Sequence, residues 1–153
     1  MNSLIIDTAG DKIFLKIITD DKEYIINHDN CRENFDKLVS IIFNFLSENN
    51  ISLSTINNVF INQGPGKNTS VRSAISIAKA LKISNKINIY GYENAHITNN
   101  NYDNLLNKSI GEYNIQMLEI MGNYGETFDT LVNLRITRRV IDKIILYNLK
   151  NLL

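Results

Sequence analysis

The feature that most constrains the fold is the Gly64-Pro65-Gly66 turn, which holds the only proline of the chain and two of its seven glycines. An apolar run, residues 59–61, precedes it, and an amphipathic run, residues 71–81, follows it. Glycine permits positive φ and proline fixes φ near about −65°, so the turn predicts a sharp reversal between a strand and a helix. It has two interpretations: a turn without a ligand, or exposed helix amides that bind an anion.

The composition limits the possible classes of protein. A chain of 153 residues forms one or two small domains. Its 16 basic and 16 acidic residues give a formal net charge of 0, which argues against binding nucleic acid by bulk electrostatics. The single Cys31 excludes an internal disulfide and a cysteine zinc site and favours a reducing, cytoplasmic location.

Metal and membrane signals are weak throughout the sequence. With only His28 and His96, the chain has too few histidines for most metal sites, so we predict no metal. We also predict no membrane partner, because no apolar run reaches the roughly 18–20 residues of a membrane span. The N-terminal residues lack the basic region of a signal peptide, which favours the same interpretation.

The first part of the chain predicts three strands in an antiparallel meander. The runs are residues 3–9, 12–18 and 22–26, each rich in apolar and β-branched side chains. Gly10-Asp11 and Asp20-Asp21 supply the tight turns between them.

A helix is expected next, from an Asn30 cap with Glu33 completing a capping box to about Glu48. One apolar stripe has helical spacing, and further apolar side chains lie outside it. Either this helix is covered on several sides within its own domain, or it forms an intermolecular face. The stripe consists of Phe35, Leu38, Val39, Ile42 and Leu46, and the side chains outside it are Ile41, Phe43 and Phe45.

The chain continues with a strand over residues 57–62, the turn, a second helix and a strand over residues 87–91. Asn68, Thr69 or Ser70 is expected to cap the second helix. Its small side chains allow another helix to approach closely. Its stripe is Val71, Ala74, Ile75, Ala78 and Leu81, and its small residues are Ser73, Ala74, Ser76, Ala78 and Ala80.

The predicted order is therefore β-β-β-α-β-α-β, an α/β fold with a mixed sheet and crossover helices. That layout is one ribonuclease-H-like half, which we assign to residues 1–97. Residues 98–153 carry a weaker signal, with helical patterns over 126–134 and 137–149. We predict that they form a reduced, mostly helical second domain.

Asp7 and Thr8 are the candidate chemical residues, because they end a strand just before Gly10. Nucleotide-dependent enzymes of this layout place a carboxylate near a metal and a phosphate at this point. Aspartate is also an ordinary turn former, and no second carboxylate can be matched to it. No Ser/His/Asp or Cys/His set is apparent, and residues 64–69 lack the Walker spacing. We therefore predict no catalytic residue.

Several segments together resemble one bacterial family. They are Leu4 to Ala9, Ile51 to Ile56, the turn with its helix, and Ile89 to Tyr92. They are similar to the TsaB/YeaZ family of tRNA threonylcarbamoyladenosine (t6A) biosynthesis proteins, whose signature reads Gly-Pro-Gly-Ser-Phe-Thr-Gly-Val/Leu-Arg. The matching positions are Gly64, Pro65, Gly66, Thr69, Val71 and Arg72. Lys67-Asn68 and Ser70 depart from the signature, and residues 98–153 are shorter than the family's second half.

The resemblance implies a fold of the actin/Hsp70/sugar-kinase superfamily and a non-catalytic scaffold subunit. Such a subunit pairs with the catalytic subunit TsaD and recruits the ATPase TsaE. ATP and magnesium then belong to the partners, and tRNA is reached only through the complex. Asp7 and Thr8 become a vestigial nucleotide site, and a homodimer in isolation is possible.

Family dimers pack through the two helices of the first domain, which implies a partner interface on the two helices described above. The alternative function is a nucleotide-dependent phosphotransferase or ATPase of the same superfamily that uses Asp7 and Thr8. It would need a second lobe to close over the nucleotide. The expected interface consists of Phe35, Leu38, Ile41, Ile42, Phe45, Arg72, Ser73, Ser76 and Ala80.

Overall fold

The computed structural model describes residues 1–97, 101–107, 143, 145 and 146. Short 3₁₀ turns at Leu53–Thr55 and Asn94–His96 connect some of the regular elements. In chain order these elements are β1 (Asn2–Asp7), β2 (Lys12–Ile18), β3 (Glu23–Asp29), α1 (Arg32–Asp36), α2 (Leu38–Glu48), β4 (Ile56–Asn62), α3 (Asn68–Asn85), β5 (Asn88–Tyr92) and α4 (Asn104–Asn107).

The strands form one mixed sheet in the order β3-β2-β1-β4-β5. Strand β1 pairs antiparallel with β2, and β2 pairs antiparallel with β3. Strands β1, β4 and β5 are parallel neighbours, joined by crossovers that contain the helices. This arrangement confirms the predicted meander, the element order and the ribonuclease-H-like fold class in the described part of the chain.

Burial explains why the central strands are continuous apolar runs. Leu4 pairs with Val59 on the face that carries the helices, whereas Ile5 pairs with Phe60 on the opposite face. All four side chains are fully buried, as expected for a central strand covered on both faces. Edge strand β3 instead alternates between exposed and half-buried residues, because it has fewer neighbours.

Two apolar clusters lie on the two faces of the sheet. The larger one joins the sheet to α2 and α3 and includes Ile6, Leu15 and Leu81. The smaller one lies on the opposite face, where the Phe60 and Tyr90 rings are 5.2 Å apart. The buried members of this smaller cluster are Ile5, Phe60, Tyr90, Tyr92 and Leu105.

The predicted first helix is wrong in two details. It is divided at Lys37, whose φ of −102° and ψ of 14° separate α1 from α2. Cys31, not Asn30, is the N-cap residue of α1, and its side chain makes no capping hydrogen bond. The Asn30 side chain points inward instead: its Nδ2 donates to the carbonyl oxygens of Thr8 and Gly10, at 2.8 and 2.7 Å, and its buried Oδ1, the atom that would cap the helix, accepts no hydrogen bond.

The predicted cap of α3 is also wrong. Lys67 is the N-cap residue, without a side-chain hydrogen bond. Asn68 and Thr69 are exposed, and Ser70 points inward, with its Oγ 2.8 Å from the carbonyl oxygen of Thr8. The start of α3 is therefore held by hydrogen bonds to the backbone at the end of β1, which is distant in sequence, and not by a capping side chain of its own first turn.

The apolar side chains of α2 that lie outside its main stripe are covered by other parts of the same chain. Phe43 and Phe45 are buried in the larger cluster, and Ile41 packs against it while half-buried. Both phenylalanines are therefore covered within their own domain, as one of the two interpretations of this helix stated.

Most of the predicted second domain lies outside the described residues. That includes the helix predicted over 126–134, and of the one over 137–149 only residues 143, 145 and 146 are described, all helical. None of the helices in the described part of the chain has the length and apolar character needed to cross a bilayer.

Candidate functional site

The glycines of the turn are required by its contacts with the end of β1. Gly64 has a φ of 101°, a conformation that side chains disfavour. A Cβ on Gly66 would lie 2.1 Å from the carbonyl oxygen of Ala9, closer than any real contact. The amide of Lys67 donates to the same oxygen at 3.1 Å. The turn thus packs its backbone directly on the strand end that carries Asp7.

The Asp7 carboxylate is buried and accepts hydrogen bonds from within the chain. Its Oδ1 accepts from the amide of Ala9 at 3.1 Å. Its Oδ2 accepts from Asn62 Nδ2 at 3.0 Å and from the Tyr102 hydroxyl at 2.9 Å, and the Tyr92 hydroxyl lies at 3.4 Å. The sequence placed Asp7 at a strand end but gave no sign that these donors surround it.

Both tyrosines remain donors at neutral pH. Burial raises the pKa of Tyr92 well above its ordinary value, and the nearby Asp7 carboxylate raises it further. The pKa of Tyr102 is raised by the same two causes. The Tyr102 ring also stacks on Phe14, with centroids 4.3 Å apart, and so covers Asp7 from the side opposite the helices.

Thr8 has a structural role in these contacts. Its Oγ1 donates to the carbonyl oxygen of Ser70 at 2.9 Å. The structure therefore brings Asp7 and Thr8 beside the turn and directs the Thr8 hydroxyl to α3.

An asparagine network extends the site and was missed by sequence reasoning. Asn62 Nδ2 donates to Asn94 Oδ1 at 2.7 Å, and Asn94 Nδ2 donates to the carbonyl oxygen of Pro65 at 2.7 Å. The amide of Gly64 donates to Asn62 Oδ1 at 2.8 Å. The position of Asn62 at the strand end just before the turn was an available signal, whereas nothing local marks Asn94.

A cleft of about 660 Å³ opens beside Asp7, and both lysines that line it are paired with carboxylates: Lys12 forms an ion pair with Asp29. Lys16 lies 3.1 Å from Glu23 and 2.9 Å from Asp103. Lys67 Nζ, outside the lining of this cleft, is 3.4 Å from Asp11 and 3.1 Å from the carbonyl oxygen of Asn30. No group of three His, Cys, Asp or Glu side chains among the described residues could hold a metal ion. The cleft therefore has little positive potential for a phosphate.

The expected partner interface is only partly at the surface. Leu38, Ile42, Phe45 and Ala80 are at most 3% exposed, because α2 and α3 pack on the sheet and on each other, so these four were assigned wrongly to a surface. Ser76 is also buried, and its Oγ donates to the carbonyl oxygen of Arg72 at 3.0 Å. The half-buried members are Phe35, Ile41, Arg72 and Ser73.

Comparison with known proteins agrees with this geometry. Residues 29–109, more than half of the chain, match the family model described as TsaD: tRNA N6-adenosine threonylcarbamoyltransferase. A protein of Buchnera aphidicola subsp. Schizaphis graminum, described as tRNA threonylcarbamoyladenosine biosynthesis protein TsaB, is 33% identical over 88 residues. That match covers 58% of this chain and 42% of the Buchnera protein.

Solved structures show the same fold. YeaZ from Pseudomonas aeruginosa superimposes with a TM-score of 0.58 at 20% identity, over 63% of this chain and 45% of that one. A second structure, described as an uncharacterized protein with similarity to peptidase YEAZ from the same organism, gives the same TM-score, identity and coverage of this chain and covers 44% of its own. Each match spans less than half of the relative's length. The resemblance seen in the sequence is confirmed: the chain belongs to the TsaD family of the matching model, as a TsaB/YeaZ-like member.

Proposed function

We propose that this chain is a non-catalytic scaffold subunit of the t6A modification machinery. It pairs with a TsaD-like catalytic subunit and recruits a TsaE-like ATPase, and it reaches tRNA only through that complex. It needs no cofactor of its own, since ATP and magnesium bind the partner subunits. The match to a TsaB protein supports the pathway, and the state of Asp7 supports the non-catalytic role.

The observation that carries the proposal is the enclosure of Asp7. A carboxylate that serves a metal or a nucleotide needs open lone pairs toward solvent. Although Asp7 lines the cleft, it is only 9% exposed: its oxygens accept from Ala9, Asn62 and Tyr102, and the Tyr102 ring, stacked on Phe14, covers it. The surroundings of Asp7 therefore fit a structural role, in which this residue helps to align β1 with the turn and α3, better than they fit phosphoryl transfer.

A docking surface on the helices is the second support. Phe35 and Ile41 are half-buried apolar side chains at the border of the larger cluster, and Arg72 and Ser73 of α3 are half-buried as well. Apolar area that is only partly covered by its own chain is common where a partner helix packs.

Co-purification with the TsaD-like subunit of the same organism tests the pairing. Ile41→Asp places a charge on the proposed surface, and we expect the complex to be lost. Ile25→Asp is the matched control, because Ile25 is 56% exposed on β3, on the other face of the sheet. Circular dichroism melting of both variants shows whether they fold. A folded Ile41→Asp chain that binds as well as the Ile25→Asp chain contradicts the interface.

Calorimetry with ATP and magnesium tests the non-catalytic role. We expect no binding to the isolated chain. Tight binding that Asp7→Ala abolishes would instead establish the phosphotransferase alternative.

Sedimentation with and without the TsaD-like subunit distinguishes heterodimer formation from a chain that only forms homodimers.

A further inference from the structure

Strand β3 forms an open edge of the sheet in the part of the chain that the structure describes. It pairs with β2 on one side and with no strand on the other. An open edge can pair with another chain, and proteins commonly block it with a proline, a bulge or a lysine. Strand β3 has none of these devices: its seven residues, Glu23–Asp29, pair with β2 in one continuous register and include neither proline nor lysine.

The backbone groups of β3 that face away from β2 follow from the two ends of this strand pair. The amide of Thr19 donates to the Lys22 carbonyl oxygen at 2.9 Å, and the amide of Asn30 donates to the Asp11 carbonyl oxygen at 2.9 Å. Hydrogen-bonded pairs alternate along an antiparallel ladder, and both ends give the same alternation. The residues whose amide and carbonyl groups face the open edge are therefore Glu23, Ile25, Asn27 and Asp29.

The side chains of this edge have an apolar centre. Ile25 is 56% exposed and lies between Glu23 and Asn27, which are also exposed, on the face of the sheet opposite the helices. A single exposed isoleucine needs no explanation by itself. Here, however, it stands at the middle of a row of outward backbone groups, and a β-branched side chain stabilises a strand pair through contact with the residue opposite.

We propose that the open edge of β3 pairs antiparallel with the same edge of a second copy of this chain. A two-fold axis perpendicular to the sheet places Ile25 opposite Ile25 of the second copy and Glu23 opposite Asn27 of the second copy. About six backbone hydrogen bonds then form between the outward groups of residues 23–27 in the two copies. The contact does not involve α2 or α3, so it is independent of the proposed pairing with a TsaD-like subunit.

Two observations select this register. With the axis moved by one residue, to Ile26, Glu23 would lie directly opposite Asp29 of the second copy, and like charges in that position destabilise a strand pair. That register also requires the outward carbonyl oxygen of Asp29, which already accepts from Asn34 Nδ2 at 2.7 Å. In the proposed register Asp29 lies beyond the overlap. On the helix side of the sheet, half-buried Tyr24 meets half-buried Ile26 of the second copy.

Other occupants fit this edge less well. A nucleic acid backbone would be repelled by the acidic side chains of Glu23 and Asp29, which are both exposed. An extended segment of a TsaD-like subunit would offer the same backbone groups. It lacks the self-complementarity that pairs Ile25 with itself and a carboxylate with the amide of Asn27.

Sedimentation velocity of the full chain over a concentration series tests the dimer. An overlap of this length is smaller than a standard interface, so we expect a Kd of about 10–100 µM. Ile25→Lys places two like charges at the axis and should raise Kd at least about tenfold. Ile83→Lys is the matched control, since it makes the same change at an exposed isoleucine of α3 and should dimerise like the unaltered chain. Circular dichroism melting verifies that both variants fold.

Amide hydrogen exchange followed by NMR tests the backbone pairing itself. The amides of Ile25 and Asn27 should exchange at least about fivefold more slowly at concentrations where the dimer dominates than in dilute chain. The amides of Tyr24 and Ile26 face β2 and serve as the internal control, because they should be protected at both concentrations.

A charge at position 27 tests the register. Asn27→Lys lies opposite Glu23 of the second copy and should lower Kd by about threefold, whereas Asn27→Glu should raise it by a similar factor. Equal Kd values for these two variants would overturn the register and with it the proposal.

The remaining outcomes are equally decisive. A chain that stays monomeric throughout the series overturns the proposal. Self-association that Ile83→Lys weakens and Ile25→Lys leaves unchanged assigns the contact to the helices and also overturns it. Protection of the Ile25 and Asn27 amides that appears only when the TsaD-like subunit is added assigns the edge to that subunit instead of a second copy.

Discussion

Asp7 lies where the sequence predicted a candidate chemical residue, but its hydrogen bonds are made within the chain. Its place at the end of β1 suits a metal or phosphate ligand, yet its donors are an amide, an asparagine and tyrosine hydroxyls. Neutral donors stabilise a buried carboxylate without adding a cation, because each contributes a charge-assisted hydrogen bond. Part of the cost of burying the charge is therefore offset by donors of the chain itself.

Because the tyrosines beside Asp7 have raised pKa values, we expect the folded chain to lose stability at high pH. The folded pKa of Tyr102 is raised above its unfolded value near 10, so folding favours the protonated hydroxyl. Its contribution is fully present below pH 10 and decreases as the pH rises through the folded pKa. Thermal unfolding from pH 8 to 11 should show the melting temperature falling above about pH 10.

Tyr102→Phe is the variant that isolates this effect. Loss of the hydroxyl should lower the free energy of unfolding at pH 7 by about 1 kcal/mol and weaken the fall above pH 10. Tyr24→Phe, half-buried on β3 away from Asp7, is the control. An unchanged alkaline fall in the Tyr102→Phe chain would rule out this residue as its source.

The turn and α3 act together as one element that the end of β1 positions. Helix α3 has no side-chain N-cap, and its start is held by the Lys67 amide on Ala9 and by Ser70 beside Thr8. The direction of α3 therefore depends on backbone proximity at Gly66. A helix aimed in this way sets the position of every side chain on α3.

Gly66→Ala tests that dependence. The added Cβ would lie 2.1 Å from the backbone oxygen of Ala9, so the turn must move away from β1. We expect the free energy of unfolding to fall by about 2–4 kcal/mol, as for other steric insertions at backbone contacts. Gly10→Ala is the control, since its Cβ meets nothing within 4 Å and should change stability by less than about 0.5 kcal/mol. If both variants unfold at the same urea concentration, the turn can move away from β1 without loss of stability.

For the molecule as a whole, local patterns predicted the elements, and contacts distant in sequence determined the site. Runs of apolar side chains carry the strand and helix periods, so the β-β-β-α-β-α-β order could be read directly. Asn30 was misread as a cap because its partners, Thr8 and Gly10, are about twenty positions away. The burial of Phe45 and the approach of Tyr102 to Asp7 depend likewise on how elements pack, which a periodicity does not encode.

The segment at residues 101–107 shows this most clearly, because it closes the second face of the sheet. Leu105 is 0% exposed and joins Ile5, Phe60 and Tyr92 in the smaller cluster, while Asp103 pairs with Lys16. The boundary predicted at residue 97 stays a prediction. The contacts of 101–107 nevertheless tie this segment to the first domain.

Leu105→Ala measures how much that packing contributes. Truncating a fully buried leucine leaves a cavity, and we expect the free energy of unfolding in urea to fall by about 2–5 kcal/mol. Ile83→Ala is the control, because Ile83 is mostly exposed on α3 and leaves no cavity. If both variants unfold at the same urea concentration, residues 101–107 add nothing to the domain. A single transition at lower urea for Leu105→Ala shows that this segment and the sheet unfold as one unit.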